Sequence, residues 1–193
     1  LNIALFDALK LHVKDGDDGY QEARFISAHT IMLSLEGIPA FYIHSLIATQ
    51  NDYEKVKHSG QNRGINRHQW QMQELEQILL GENHHSRMFY ELLRLIGIRK
   101  HQRAFHPNAT QFTLDLGDRV LALWRQSLDR TQSIFSIHNI SNQKIAMQLS
   151  DLNLIETDNW VDLISGTKLE RSQGKLMLTP YQSMWITNKS SIM

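Results

Sequence analysis

Two arginines four residues apart, Arg63 and Arg67, lie in a stretch that is rich in turn-forming residues and could bind an oxygen-rich ligand. A guanidinium group presents a planar set of donors that suits hydroxyl, carboxylate and phosphate oxygens. Arginines in polar loops are also commonly solvated or paired, so the residue types alone leave both interpretations open. Residues 51–70 are predicted to form a long polar loop, and this loop is a candidate binding site.

The residues before this loop predict the elements that would position it. Residues 20–35 carry apolar side chains at helical spacing, and Gly37 is a typical stop signal for that helix. Pro39 and the aromatic run at 40–43 predict a short buried strand. The strand would end where the polar loop begins, which is a common position for ligand-binding groups.

The spacing of apolar residues changes along the rest of the chain. Residues 71–102 show helical spacing interrupted at Gly81, which predicts two helices. From about Pro107, short apolar runs alternate with turn residues, and this rhythm predicts an antiparallel β-sandwich. We expect a boundary near residue 106, with an α/β part at 1–106 and an all-β domain at 107–193.

Composition excludes several classes of function. The chain of 193 residues has 20 Lys and Arg against 20 Asp and Glu, so its net charge gives no general attraction to nucleic acid or to an anionic membrane. It has no cysteine, and its histidines lack metal-ligand spacing, so neither a metal nor another cofactor is predicted. The chain begins at Leu1 without a signal-peptide pattern or a membrane-spanning apolar run, so we expect a fragment of a cytoplasmic protein.

Four short motifs occur in an informative order. They are NIALFD at residues 2–7, GIPAFY at 37–42, Asn51-Asp52, and RGINRH at 63–68. In their order and separations they resemble the sucrose phosphorylase branch of glycoside hydrolase family 13, within the α-amylase superfamily. The resemblance extends over essentially the whole chain, and it looks closest to members that phosphorolyse sucrose or glucosylglycerate-type glucosides.

This resemblance implies a fold and a reaction. The family has a (β/α)8 barrel that transfers a glucosyl unit between an acceptor and inorganic phosphate, with retention through a covalent glucosyl-enzyme. Its substrates would be α-glucosides, glucose 1-phosphate and phosphate. The family's catalytic carboxylates precede the matched region, so residues 1–106 would be the last βα portion of the barrel and 107–193 its C-terminal β-sandwich domain. The chain alone would then hold no catalytic residue and be inert.

The resemblance also implies four substrate-binding residues. Arg63 matches the family arginine that contacts the glucosyl unit. Leu5, Phe6 and Asp7 match a mobile loop that alternates between acceptor-binding and phosphate-binding arrangements. Sucrose enzymes of the family usually carry Tyr and Gln at the positions of Phe6 and Asp7, so a glycerol- or glycerate-like acceptor is as well supported as sucrose. A carboxylate at Asp7 would repel phosphate unless it is protonated or paired.

A second class of function stays open, namely a self-standing carbohydrate-binding or interaction module built on the β-sandwich. Trp124, Trp160 and Trp185 could form a sugar-stacking platform, although aromatic residues in strands more commonly fill the core. A barrel fragment would instead expose apolar surfaces where neighbouring strands would pack. We therefore expect the chain to form a homo-oligomer.

Overall fold

The computed structural model describes residues 2–10, 12–13, 16–152, 160–169 and 174–188. The chain forms two compact units, each made of two separate stretches. The first unit combines Leu1–Ile26 with Ala40–Arg94, and the second combines Ser27–Pro39 with Leu95–Met193.

The first unit is mainly helical. Its elements are α1 (Leu5–Ala8), a small hairpin of β1 (His12–Val13) and β2 (Gly16–Asp17), α3 (Ile43–Leu46), α4 (Tyr53–Ser59), a 3-10 helix (Asn62–Asn66) and α5 (Met72–Leu80). Two longer helices, α2 (Gln21–Ser34) and α6 (His84–Lys100), continue into the second unit. Side chains from α1, α2 and α6 form the core with Ala48; they are Phe6, Phe25, Met88 and Leu92.

The longer predicted helices of the first half are confirmed. Helix α2 covers the predicted stretch at 20–35, and Gly37 beyond its end has a left-handed φ of 88°, which favours glycine. Helices α5 and α6 cover the predicted pair, with Gly81 at the end of the first. Helical spacing over two or more turns is therefore a sufficient signal in this part of the chain.

The predicted buried strand at residues 40–43 is wrong. Tyr42 has an extended backbone, but α3 begins at Ile43, and among the described residues no strand pairs with this segment. Tyr42 and Ile43 are also 54% and 55% exposed rather than buried. A strand is defined by hydrogen bonds to a neighbour, and an apolar run carries no information on whether that neighbour is present.

The polar stretch at 51–70 is not one long loop. Asp52 caps α4, because its Oδ1 accepts the backbone N–H of Lys55 at 2.8 Å. Gly60 ends the helix in the left-handed conformation, with a φ of 64°. Residues that suggested turns are therefore the two ends of a short helix, and the 3-10 helix follows at once.

The second unit is built on antiparallel strands. A six-stranded sheet has the order β3-β4-β5-β10-β7-β8, and a separate pair joins β6 to β9. The strands are β3 (Thr110–Asp115), β4 (Val120–Gln126), β5 (Ser133–Asn139), β6 (Ile145–Gln148), β7 (Trp160–Asp162), β8 (Lys168–Leu169), β9 (Lys175–Leu178) and β10 (Ser183–Thr187). Short 3-10 helices occupy Arg103–Phe105 and Leu149–Leu152. The predicted change from helices to antiparallel strands is confirmed, whereas the division into domains at residue 106 stays a prediction.

One hydrophobic cluster contains side chains from both sheets. Ile137 and Ile186 come from the six-stranded sheet, and Met147 and Leu178 come from the two-stranded sheet. The register places alternate residues of each strand into this cluster. The two sheets therefore share a core.

The three tryptophans of this unit contribute mainly to packing. Trp160 and Trp185 are buried, and Trp124 packs against the hydrophobic cluster while partly exposed. The Trp185 indole Nε1 donates to the Ser34 hydroxyl at 2.8 Å. Trp160 and Trp185 are therefore not available for a sugar-stacking platform on the surface.

Candidate functional site

Arg63 lies in the first unit on the 3-10 helix, exposed to solvent. Its guanidinium group has no hydrogen-bond partner among the described residues. Its five donors are thus available to a ligand, in contrast to an arginine that is held by structural carbonyls.

Hydrogen bonds of Asp52 hold the segment that carries Arg63 against the start of α4. The backbone N–H of Asp52 donates to the carbonyl of Ile65 at 2.7 Å, and its Oδ2 lies 2.7 Å from Nδ1 of His68. Because a carboxylate only accepts, Nδ1 of His68 is the donor. Lys55 also holds this segment, because its Nζ donates a hydrogen bond to the carbonyl of Arg67. The N–H of Lys55, and then His68, hold the pKa of Asp52 below its usual range.

His68 lies beside aromatic side chains in an open cleft. The Trp70 ring meets the rings of His68 and His85 nearly edge-on, at centroid distances of 4.5 and 5.3 Å. The indole Nε1 of Trp70 donates to the hydroxyl of Thr49 at 3.1 Å. Nε2 of His68 is buried and has no partner among the described residues. The cleft has a volume of about 450 Å³ and is lined by Thr49, Gln50, Asn51, Asp52, Tyr53, Glu54, His68, Trp70, Glu74, Ile78 and His85.

The predicted mobile loop forms α1, and its three residues have different surroundings. Leu5 is 41% exposed. Phe6 is buried, with its ring edge-on to Phe25 at 5.2 Å and stacked on His84 at 4.9 Å. Asp7 is partly exposed. In this conformation the Phe6 ring belongs to the core, and only its two neighbours have side chains that solvent reaches.

Asn51 makes reciprocal bonds with this loop. Its side-chain Oδ1 accepts the backbone N–H of Ala4 at 2.7 Å, and its own backbone N–H donates to Oδ2 of Asp7 at 2.6 Å. The Asp7 carboxylate is therefore paired with a main-chain donor, which offsets part of its charge.

The predicted site residues do not line one common cavity. Asp7 lies with Lys10, Asn51 and Tyr53 in a cleft of about 620 Å³. Leu5 lines a smaller cavity of about 130 Å³. Phe6 lines a third cleft, of about 740 Å³. Arg63 lines none of these. The cleft at His68 and the cleft beside Asp7 have three lining residues in common, namely Gln50, Asn51 and Tyr53.

Sequence reasoning missed the pairing of Asp52 with His68 and the packing of Trp70. The available signal was position, because Asp52 belongs to the Asn51-Asp52 motif and His68 ends the RGINRH motif. A partnership across 16 residues cannot be derived from spacing on a helix or strand.

The adjacent residues His84 and His85 contribute to packing beside the clefts. Their ring centroids lie 3.8 Å apart, and burial lowers the pKa of each. Burial likewise lowers the pKa of His44, so the neutral form of all three is favoured. The described residues contain no group of three or more His, Asp or Glu side chains placed to hold a metal ion. In the same part of the chain, no helix has the length and apolar character needed to cross a bilayer.

Comparison with known proteins identifies relatives by sequence. No protein-family model matches the chain. It is 32% identical over 189 residues to glucosylglycerate phosphorylase of Escherichia coli (strain K12), covering 96% of this chain and 32% of that protein. Glucosylglycerate phosphorylase of Allomeiothermus silvanus is 33% identical, over 96% of this chain and 31% of that protein. The chain thus spans about a third of the length of these relatives.

Solved structures agree with this relationship. The structure of AmyP in complex with maltose has a TM-score of 0.71 over 88% of this chain and 35% of that chain, at 15% identity, which shows a common fold. Sucrose 6F-phosphate phosphorylase from Thermoanaerobacter thermosaccharolyticum has a TM-score of 0.52 at 26% identity, over 66% of this chain and 27% of that chain. The chain is therefore similar over 96% of its length to two glucosylglycerate phosphorylases, and these homologues are consistent with the resemblance to glycoside hydrolase family 13 that its four motifs carry.

Proposed function

We propose that this chain is the C-terminal part of a retaining α-glucoside phosphorylase, which transfers a glucosyl unit between an acceptor and inorganic phosphate. The observation that carries the proposal is the similarity to glucosylglycerate phosphorylases along 96% of the chain. In this proposal the catalytic carboxylates belong to another part of the enzyme, so the 193 residues alone are inert.

The proposal assigns residues 1–106 to the last βα portion of a barrel. Its support is the extended segment before α3, which has apolar side chains but no strand partner among the described residues. Ile38 in this segment is 85% exposed, and Tyr42 and Ile43 are more than half exposed. Each strand of a closed barrel lies between two neighbours, so a barrel strand without those neighbours would leave such apolar groups uncovered.

The proposal assigns residues 107–193 to a β-sandwich domain that follows the barrel. The antiparallel pairing of every described strand in this range supports that assignment, as does the core that the two sheets share. The exposed apolar segment would also promote self-association, which sedimentation at micromolar concentration would detect.

Arg63 is proposed to bind the glucosyl unit. The exposed guanidinium group has its donors available, and such a group suits vicinal hydroxyls and neighbouring carboxylates. Leu5, Phe6 and Asp7 are proposed to form the acceptor loop. Phe6 would contact an acceptor only after leaving its present position against Phe25 and His84.

The proposed acceptor is glycerate or a similar small polyol acid. Two relatives that cover nearly the whole chain are glucosylglycerate phosphorylases. In the cleft beside Asp7, Lys10 offers a cation to an acceptor carboxylate or to phosphate, although it also pairs with Asp17 at 3.6 Å on the surface. The carboxylate of Asp7 is already bonded to the N–H of Asn51, which reduces its repulsion of such an anion.

The test is a phosphate-release assay with glucose 1-phosphate and a panel of acceptors, namely glycerate, glycerol, fructose and fructose 6-phosphate. It compares the 193-residue chain with the complete gene product that carries this sequence. We expect release only from the complete product, with glycerate the best acceptor. Turnover by the 193 residues alone would contradict the absence of catalytic carboxylates, and silence from both would favour a binding module.

A further inference from the structure

We propose that the adjacent residues Asn51 and Asp52 form a clamp that positions the acceptor loop and the Arg63 segment together. The clamp is defined as these two residues with their hydrogen bonds to Ala4, Asp7, Ile65 and His68. This inference rests on the proposed function, because both segments that the clamp joins are proposed there to bind substrate. Asn51 and Asp52 are positioning residues and are not assigned contact with the reacting atoms.

The Asn51 side of the clamp contacts α1 at two points. The Oδ1 of Asn51 accepts the N–H of Ala4, which immediately precedes α1, and the N–H of Asn51 donates to Asp7 within it. Both distances are short, at 2.7 and 2.6 Å. Ala4 is buried, so water competes poorly for its N–H. A change at Asn51 therefore acts directly on the backbone of the acceptor loop.

The Asp52 side holds the segment that carries Arg63. The N–H of Asp52 donates to Ile65, its Oδ2 accepts from His68, and its Oδ1 caps α4. Along the chain, Arg63 follows helix α4, which Asp52 caps, and precedes Ile65 and His68, to which Asp52 is hydrogen-bonded. The position of Arg63 is thus set from both sides by one side chain and one main-chain donor.

The two sides of the clamp are joined by a single peptide unit. Consecutive Cα atoms are held about 3.8 Å apart by a rigid trans peptide unit. Asn51 and Asp52 also line the same cleft at His68, and Asn51 lines the cleft beside Asp7 as well. A ligand that reorders the acceptor loop would therefore shift the Arg63 segment through this peptide unit, in addition to the direct hydrogen bond from the Asn66 side-chain amide to the Ile3 carbonyl at 3.5 Å.

Kinetic variants of the complete gene product separate positioning from simple stability. Asn51→Leu removes the acceptor for the Ala4 N–H, whereas Asn51→Asp keeps an oxygen there and is the conservative control. We expect Asn51→Leu to raise KM for glycerate about tenfold, the loss of one hydrogen bond, with KM for glucose 1-phosphate changed less. Asn51→Asp should recover most of this loss. Equal changes in both KM values would contradict the assignment of Asn51 to the acceptor loop.

The opposite order of changes in the two KM values is expected for substitutions at Asp52. Asp52→Ala should raise KM for glucose 1-phosphate more than KM for glycerate, and Asp52→Asn should lie between it and the wild type because it keeps an oxygen for the cap. Combining Asn51→Leu with Asp52→Ala should give a loss that departs from the product of the single losses, since coupled residues are not additive. A strictly multiplicative result would show that the two sides act independently and would overturn the clamp.

Hydrogen exchange gives a measurement that does not depend on activity. In the complete gene product, Asn51→Leu should speed exchange of the Ala4 and Asp52 N–H groups, which are donors in the clamp, while Asn51→Asp should leave both protected. If exchange is faster in Asn51→Leu but the wild-type protein has no phosphorylase activity, the clamp is supported and the proposed function is overturned. Active wild-type enzyme with unchanged exchange and KM values in Asn51→Leu would overturn the clamp and leave the proposed function intact.

Discussion

One arginine from each unit shows the difference between a structural guanidinium group and one that is available to a ligand. In the second unit, Arg125 is fully buried and donates to the carbonyls of Ser34 at 2.9 Å and His106 at 3.0 Å. In the first unit, Arg63 is exposed and has no hydrogen-bond partner among the described residues. The buried group serves the fold, because a desolvated charge is tolerated only with partners. Arg63, whose guanidinium group has no partner among the described residues, is therefore the better candidate for binding a ligand.

Histidines show the same contrast. His138 in the second unit is buried, with Nδ1 2.8 Å from the Ser183 hydroxyl and Nε2 3.3 Å from the Ser34 hydroxyl. His68 in the first unit is partly exposed beside a cleft, with Nδ1 bonded to Asp52 and Nε2 without a partner among the described residues. His138 thus completes the interior of the second unit, whereas His68 borders a cleft of the first unit. Three predictions test this contrast.

The largest effect is expected from the core of the second unit. Trp185→Ala should lower the free energy of unfolding by about 3–5 kcal/mol, because it removes a fully buried ring and the hydrogen bond that its indole Nε1 donates to the Ser34 hydroxyl. The matched change in the first unit, Trp70→Ala, removes a partly exposed ring and should cost less. Urea unfolding measures both. An equal or larger loss for Trp70→Ala would break the contrast between the units.

A pH dependence should come from His138. Burial lowers its pKa to about 3 from the ordinary value of 6.5. Between these values the unfolded chain binds a proton that the native chain excludes. Stability from this group is therefore complete above pH 6.5 and falls with decreasing pH, by about 1.4 kcal/mol for each pH unit.

Urea unfolding at pH 7, 6 and 5 tests the role of His138. His138→Gln should remove its part of the slope, although the substitution itself costs stability at pH 7. Carboxylates with a lowered pKa, such as Asp52, contribute at lower pH, because their stabilisation is lost as pH falls through the folded pKa. An unchanged slope in His138→Gln would mean that the buried imidazole does not control the pH response.

The smallest effect is expected from a pair of glycines. Gly60→Ala should cost about 1 kcal/mol, because Gly60 has a left-handed φ of 64° at the end of α4. Gly97→Ala lies within helix α6 and should instead stabilise by up to about 1 kcal/mol. Beyond the adjoining residues and the local helix backbone, a Cβ at either position meets no atom within 4 Å, so packing does not disturb the comparison. Thermal or urea unfolding that gives both changes the same sign would contradict this account.

The sequence was most informative where local pattern and tertiary structure agree. Strands β3, β4 and β5 are short apolar runs between turn residues, and they fold as predicted. The insertion of β10 between β5 and β7 depends on distant pairing and could not be derived from any local pattern.

The candidate site was harder to predict, for two physical reasons. The segment at 40–43 has the composition of a strand but lacks a partner, and strand formation requires one. The bonds that organise the clefts join Asn51 to Ala4 and Asp52 to His68, which are separated along the chain. Asp52 and Gly60 could have predicted helix α4 as its two caps, but interpreting them as turn residues hid that helix.

The most direct test of the proposed function is the rate of phosphate release from glucose 1-phosphate and glycerate by the complete gene product and two arginine variants. Arg63→Ala should lower kcat/KM by about 100-fold or more, equivalent to about 2.7 kcal/mol of lost transition-state binding. Arg67→Ala is the matched control, since Arg67 is an exposed neighbour whose carbonyl, rather than its side chain, joins the local hydrogen bonds, and it should change kcat/KM little. Near-normal turnover by Arg63→Ala, or an equal loss in both variants, would contradict the assignment of the glucosyl-binding arginine.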